Sequence, residues 1–136
     1  MPRARIAKEF QIKVGDNLGA GADLFTKLRD AGIDVMASCC YQIGEQAHLS
    51  FVPSKVEGVE EALQKYKLEA ELHDVLVVEI LNHAGAFAKM LGEIASLGVQ
   101  VRSAYVSPTE TNAGLAVVKT DDNERILEEL NRQPSE

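Results

Sequence analysis

The stretch "ILNHAGAFAKMLGEIASLGVQV", residues 80–101, decides how this chain is read. An apolar run stops at Asn82-His83-Ala84-Gly85, and an amphipathic stretch then runs to a second glycine, Gly98. Strand, polar turn, helix and glycine stop follow one another here. The same arrangement stands 66 residues earlier. Sliding the sequence by 66 places without a gap lays residues 10–52 on 76–118. The identities are Gly19/Gly85, Ala20/Ala86, Ala22/Ala88, Gly32/Gly98, Val35/Val101, Ala47/Ala113, Leu49/Leu115 and Val52/Val118. Apolar character also matches at Ile12/Val78, Val14/Ile80, Leu28/Ile94 and Ile33/Val99. One offset that keeps both glycines and both apolar patterns marks two copies of one structural unit.

Each copy parses the same way. "FQIKVG" alternates with period two, as a half-buried strand does. "GAGADLFTKLRDAG" puts Leu24, Phe25, Leu28 and Ala31 on one helical face, and Gly32 suits a left-handed helix end. "IDVMASCCYQ" and "EQAHLSFVP" are two further strands joined tightly at Ile43-Gly44. "VEGVEEALQKYK" is a helix with Val59, Ala62, Leu63 and Tyr66 inward, and "LEAELHD" is a short fourth strand. The order β-α-β-β-α-β is the ferredoxin-like plan of the α+β class: an antiparallel sheet with helices on one face. Two such units in tandem are expected, over 8–73 and 74–136. The second has strands near 75–81, 99–107 and 112–120 and helices near 86–97 and 122–131. Only "NRQPSE" follows its last helix, too short and polar for a fourth strand. Either the segment around Arg5-Ile6-Ala7 fills the gap or the edge stays open for another chain.

Composition sets outer bounds. A chain of 136 residues makes one ordinary domain or two small ones, and 46% apolar residues can build a core. No apolar run approaches the length of a membrane span, and "MPRARIAKEF" lacks the apolar stretch of a secretory signal. Cys39 and Cys40 are adjacent, which suits unpaired thiols and a reducing compartment, so a cytoplasmic location is expected. A net charge of −7 weighs against nucleic acid or an anionic membrane as partner.

The repeated unit resembles the ACT domain, a small ligand-sensing module of amino-acid metabolism. The residues that carry the resemblance are "LVVEIL", the turn Asn82-His83-Ala84-Gly85, "AFAKMLGEIASLG", "VQVRSAYV" and "GLAVVKT", with "IKVGDNLGAGADLFTKLRDAGIDV" in the first copy. The family usually has proline just before the turn glycine, where this chain has Leu18 and Ala84. The resemblance implies a free-standing tandem protein that binds an amino acid. Such ligands sit where two modules meet, between this loop of one and strand two of the other. Strand-two candidates are Val35, Met36, Val101 and Arg102.

The turn has physical grounds for that role. Backbone N–H groups at the start of a helix lack intrahelical partners and carry partial positive charge, so a carboxylate is well placed there. The candidate ligand residues are Asp16, Asn17, Leu18, Gly19, Ala20 and Gly21 in the first copy. In the second they are Asn82, His83, Ala84, Gly85, Ala86 and Phe87, with Met36 and Arg102 added from strand two. Glycine lets a ligand approach the backbone, and Asn82 and His83 can add side-chain hydrogen bonds. Alternatively Asn82 simply caps the helix.

Other residues carry less. On a strand the Cys39 and Cys40 side chains point to opposite faces, so they cannot clamp a metal together, and a buried small apolar role is expected for one of them. His48 and His73 lack a second ligand at metal spacing, and Glu60-Glu61 and Glu128-Glu129 are solvated helix faces. No catalytic constellation, metal site or cofactor motif stands out. The leading reading is therefore a regulatory amino-acid-binding homodimer. The alternatives are a non-catalytic subunit that docks on a metabolic enzyme, with vestigial loops, and a small enzyme using His83 or a cysteine.

Overall fold

The structure, a computed structural model, describes residues 3–14, 19–81, 84–108 and 112–132. In chain order its elements are β1 (Ala4–Val14), α1 (Gly19–Asp30), β2 (Val35–Ile43), β3 (Gln46–Pro53), α2 (Val59–Lys65) and β4 (Glu71–Leu81). There follow α3 (Ala84–Ser96), β5 (Val101–Pro108), β6 (Ala113–Thr120) and α4 (Asn123–Arg132). The chain divides into two compact units, one of Lys8–His73 and one that joins the N-terminal segment through Ala7 to residues from Asp74 onward.

In the unit Lys8–His73 the strands lie in the order β2-β3-β1-β4, with β3 antiparallel to both β2 and β1. Phe10, Ile12 and Val14 of β1 face Phe51, Leu49 and Ala47 of β3 across the ladder, and all are buried under α1 and α2. Period-two alternation sends these residues to one face because strand side chains alternate. Phe10 and Phe51 stack at 5.4 Å, and Phe25 of α1 meets Phe51 edge-on at 6.2 Å. Each such ring contributes about 1.5–3 kcal/mol by burial, with a further ~1 kcal/mol from ring geometry. Leu24, Leu28, Val59 and Leu63 complete the core.

In the other unit the order is β1-β4-β6-β5, and the first strand is the N-terminal part of β1. The N-terminal part of β1 therefore takes the place of a fourth strand in this unit. Glu79 N–H donates to the Arg3 carbonyl at 3.0 Å, and Ala4 and Ile6 enter the core with Leu76, Val78, Met90, Ile94, Ile126 and Leu130. Asn131 of α4 holds this strand at two points: Ala4 N–H donates to its Oδ1 at 2.7 Å, and its Nδ2 donates to the Ala4 carbonyl at 3.0 Å. Both β1 and β4 thus run on where the sequence pattern predicts separate short strands. β4 joins Glu71–Asp74, the second half of "LEAELHD", to the strand near 75–81 without a break.

The repeat itself needs one correction. Phe10 and Ile12 correspond to Leu76 and Val78, an offset of 66, but their partners Phe51 and Leu49 correspond to Val118 and Ala116, an offset of 67. An extra residue enters the second copy between β5 and β6. The gapless identities Ala47/Ala113, Leu49/Leu115 and Val52/Val118 are therefore out of register by one. Leu49 is fully buried, whereas Leu115 pairs with Glu79 and Ser107, on the other side of the pleat. A slip of one residue exchanges the two faces of a strand.

Helix ends follow the glycines. Gly32 (φ 77°) and Gly98 (φ 74°) take the left-handed conformation after α1 and α3. After α2 the same place is held by Lys67 (φ 57°), whose N–H donates to the Gln64 carbonyl while Leu68 N–H donates to Leu63. A lysine there costs about 1–2 kcal/mol relative to glycine. Cys39 is half-buried and Cys40 exposed, so neither takes the buried apolar role. Among the described residues β2 stands at the end of the strand order, paired with β3.

Candidate functional site

Of the sequence-derived candidates, Asp16, Asn17, Leu18, Asn82 and His83 lie outside the described residues. The helices that follow them are described. α1 begins at Gly19 and α3 at Ala84, so Ala84 and Gly85 belong to the first helical turn. Four N–H groups at each start have no partner within their own helix. Neither first turn carries an acidic side chain, whereas α2 has Glu60 and Glu61 there and α4 has Glu124. Acids in a first turn offset the helix dipole. Among the described residues the two first helices of the repeat thus start without an acidic side chain and the two second helices do not.

What the neighbouring side chains offer is narrower than the sequence indicates. Ala86 is buried in the core and Phe87 packs against it, so any contribution to a ligand comes from the backbone. Gly85 is exposed. Gly21 is buried inside α1, where a Cβ would stand 3.0 Å from Leu49 Cδ2. Its missing side chain lets α1 lie close on β3.

Met36 and Arg102 sit at a shared irregularity. The β2–β3 ladder shifts register between Val35 and Ala37, and the β5–β6 ladder shifts between Val101 and Ser103. Met36 and Arg102 are thus the bulge residues of corresponding strands, at the offset of 66. A bulge re-aims a side chain and is enriched next to functional sites. Each bulge is closed by a similar bond, Ser54 N–H to the Asp34 carbonyl (2.9 Å) and Asp121 N–H to the Gln100 carbonyl (3.0 Å).

Arg102 is already engaged. Its Nε and Nη2 donate to the two Asp121 oxygens at 2.8 and 2.7 Å, a fork-to-fork pair. That bond holds the Asp121 carboxyl below its ordinary range and pushes the Arg102 guanidinium up. A carboxylate ligand at Arg102 has to share or displace Asp121. The Cys40 thiol, on an exposed residue, is pushed up by partial desolvation and then by Cys39, which disfavours its thiolate. Among the described residues no cluster of His, Cys, Asp and Glu could hold a metal ion, and no helix is long and apolar enough to cross a membrane.

Within each unit the strand end that leads to the first helix and the bulge stand at opposite ends of the sheet. Val14 pairs with Ala47 at one end of β3 and Val35 with Pro53 at the other, about 20 Å away at the strand rise. No single unit therefore brings Gly19 and Met36, or Gly85 and Arg102, to one ligand.

Comparison with solved structures gives the fold. A protein of Bacteroides thetaiotaomicron superposes with a TM-score of 0.84 at 22% identity, over 96% of this chain and 90% of that one. The ligand-free regulatory subunit of aspartate kinase from Thermus thermophilus gives 0.68 at 22% identity, over 95% of each chain. A putative C-terminal regulatory domain of aspartate kinase from Porphyromonas gingivalis gives 0.59 at 15% identity, over 95% of each. No protein-family model matches the sequence, and no curated protein does. The fold is an ACT-like pair of βαββαβ units.

Two features escaped sequence reasoning. The bulges carry no sequence mark, because each is a relation between two strands. The Arg102–Asp121 pair joins β5 to the residue just after β6, 19 positions on, and follows only from the β5–β6 pairing.

Proposed function

We propose that this chain is a regulatory protein without catalysis of its own, which binds an amino acid or similar zwitterion at the starts of α1 and α3. The ligand carboxylate lies at the first helical turn, toward the positive end of the helix dipole, and Asn17 or His83 supplies a side-chain bond. The amino group or side chain is read by the strand-two bulge, Met36 or Arg102, of another module. The observation that carries this reading is a repetition: both first helices start without an acid, and both second strands bulge at the same place. The likeness to aspartate kinase regulatory subunits supports a regulatory role. The two sites need not share a ligand, since one loop has asparagine where the other has histidine.

Thermal-shift screening of the twenty common amino acids tests it, because a ligand that binds only the folded state raises the melting temperature. Titration calorimetry on His83→Ala and Asn17→Ala then assigns the site, with binding weakened by about 1–3 kcal/mol where a polar contact is lost. Parent-like affinity in both variants would place the site elsewhere.

A second reading, a docking subunit for a metabolic enzyme, is favoured by the exposed Tyr41 and Ile43 on β2. Silence in the amino-acid screen together with capture of one enzyme would select it. A homodimer is part of either proposal. The N-terminal segment pairs with β4, so the candidate edges are β2 and β5, which stand at the ends of the strand order among the described residues. A monomer mass by light scattering at micromolar concentration would count against the dimer.

A further inference from the structure

The unit Lys8–His73 carries a cleft of about 510 Å³, within the range of small-molecule sites, and every residue lining it belongs to that unit. Its floor is the sheet face opposite α1 and α2. Strand pairing sets Tyr41 beside His48 and His48 beside Lys13, with Ser50 and Gln11 in the next row. Residues directly opposite across a ladder share a face, so these side chains form a polar floor under a hydrophobic core. The Tyr41 and His48 rings stand parallel, 5.0 Å apart and within 5°. Gln11 is fixed by Glu9, donating to its Oε1 at 2.8 Å.

The rim is the segment from α2 to β4, with Lys67, Glu69 and Glu71. Lys67 is the residue held in the left-handed conformation, where α1 and α3 use glycine. A lysine at a helix end is favourable to the helix dipole, and here it also places a cation on the cleft. Lys13 on the floor and Lys67 on the rim line the cleft together with Glu69 and Glu71, and Glu71 also meets His73 at 3.2 Å. Two cations and two carboxylates leave the lining balanced, in a chain of net charge −7. A dianion would meet both glutamates and a free cation both lysines. A molecule with one group of each sign satisfies the lining.

We propose that this cleft is a second small-molecule site, which takes a zwitterion of amino-acid class with its carboxylate on Lys13 and Lys67 and its ammonium on Glu69 and Glu71. The site is separate from the helix-start loops and does not rest on them.

The test is proton NMR of the His48 ring, assigned with His48→Gln, in the full chain titrated with each of the twenty amino acids and then with acetate and methylammonium. At least one amino acid is expected to move the His48 signals saturably, with acetate and methylammonium each much weaker. Lys67→Gly, which installs the residue best suited to the backbone there, and Glu69→Gln should each weaken the response about tenfold, the size of one charge-assisted hydrogen bond. His83→Ala should leave it unchanged. No shift with any amino acid overturns the proposal, and so does acetate matching the amino acid. A response lost in His83→Ala but kept in Lys67→Gly also overturns it, and assigns binding to the loop instead.

Discussion

Replacing Gly114 by alanine should stabilise the protein, and the reason is the corrected register of the repeat. By the gapless offset of 66, Gly114 corresponds to half-buried His48 on the polar face; by the pairing of β4 with β6 it corresponds to Ala47, which is fully buried. Gly114 pairs with Ile80 as Ala47 pairs with Val14. A Cβ at Gly114 would lie 3.7 Å from Ile80 Cγ1, 3.7 Å from Val106 Cγ1 and 3.8 Å from the Ser107 carbonyl oxygen, all ordinary contacts. Alanine therefore fits without movement. It restricts the unfolded chain, worth about 0.4–1 kcal/mol, and buries a methyl group worth up to ~0.8 kcal/mol. The sum is about 1 kcal/mol, or roughly 3–5 °C in melting temperature. Lysine at the same position should cost about 3 kcal/mol or more, because an unpaired charge would enter the core. Urea unfolding measures both, and an unchanged slope shows that the change is in stability. In a Tyr41→Phe, Tyr66→Phe background the remaining tyrosine, Tyr105, reports on the second unit alone. A tolerated lysine together with a neutral or destabilising alanine would refute the register and the correspondence built on it.

Glycines inside helices should part company by their surroundings. Gly92→Ala, with nothing within 4 Å of the new Cβ, should stabilise by up to about 1 kcal/mol, whereas Gly21→Ala meets Leu49 at 3.0 Å and loses that gain to overpacking of ~1–3 kcal/mol. Paired urea melts separate the two. Asn131→Ala removes both bonds to Ala4 and should cost about 1–3 kcal/mol, with faster amide exchange at Arg5 and Ile6 as the local readout. Asp121 should titrate below the ordinary carboxylate range by NMR, and Arg102→Gln should return it to that range. Because its folded pKa is depressed, its contribution is present above the unfolded pKa and lost as pH falls through the folded value. The pair is exposed, so the stability change should be small and weaken in salt.

Much of this architecture was legible in the sequence, because the signals are local. Period-two runs gave the strands, the faces of Leu24 and Leu28 gave α1, and Gly32 and Gly98 marked helix ends that do adopt positive φ. The ferredoxin-like order follows from those elements in succession. The candidate site stands in the sequence only as a pattern: glycine at two helix starts and candidate positions in strand two. Three things were settled by tertiary structure. Ala4–Ala7 completes the second unit although it lies some 70 residues from β4 in sequence, because hydrogen-bonding demand at a sheet edge is met in space and not along the chain. The repeat slips by one residue after β5, since partner strands, rather than letters, decide which side of the pleat a residue faces. Lys67 holds a left-handed turn that composition would have given to glycine, because Leu68 packing in the core and the bonds closing α2 outweigh the local backbone preference.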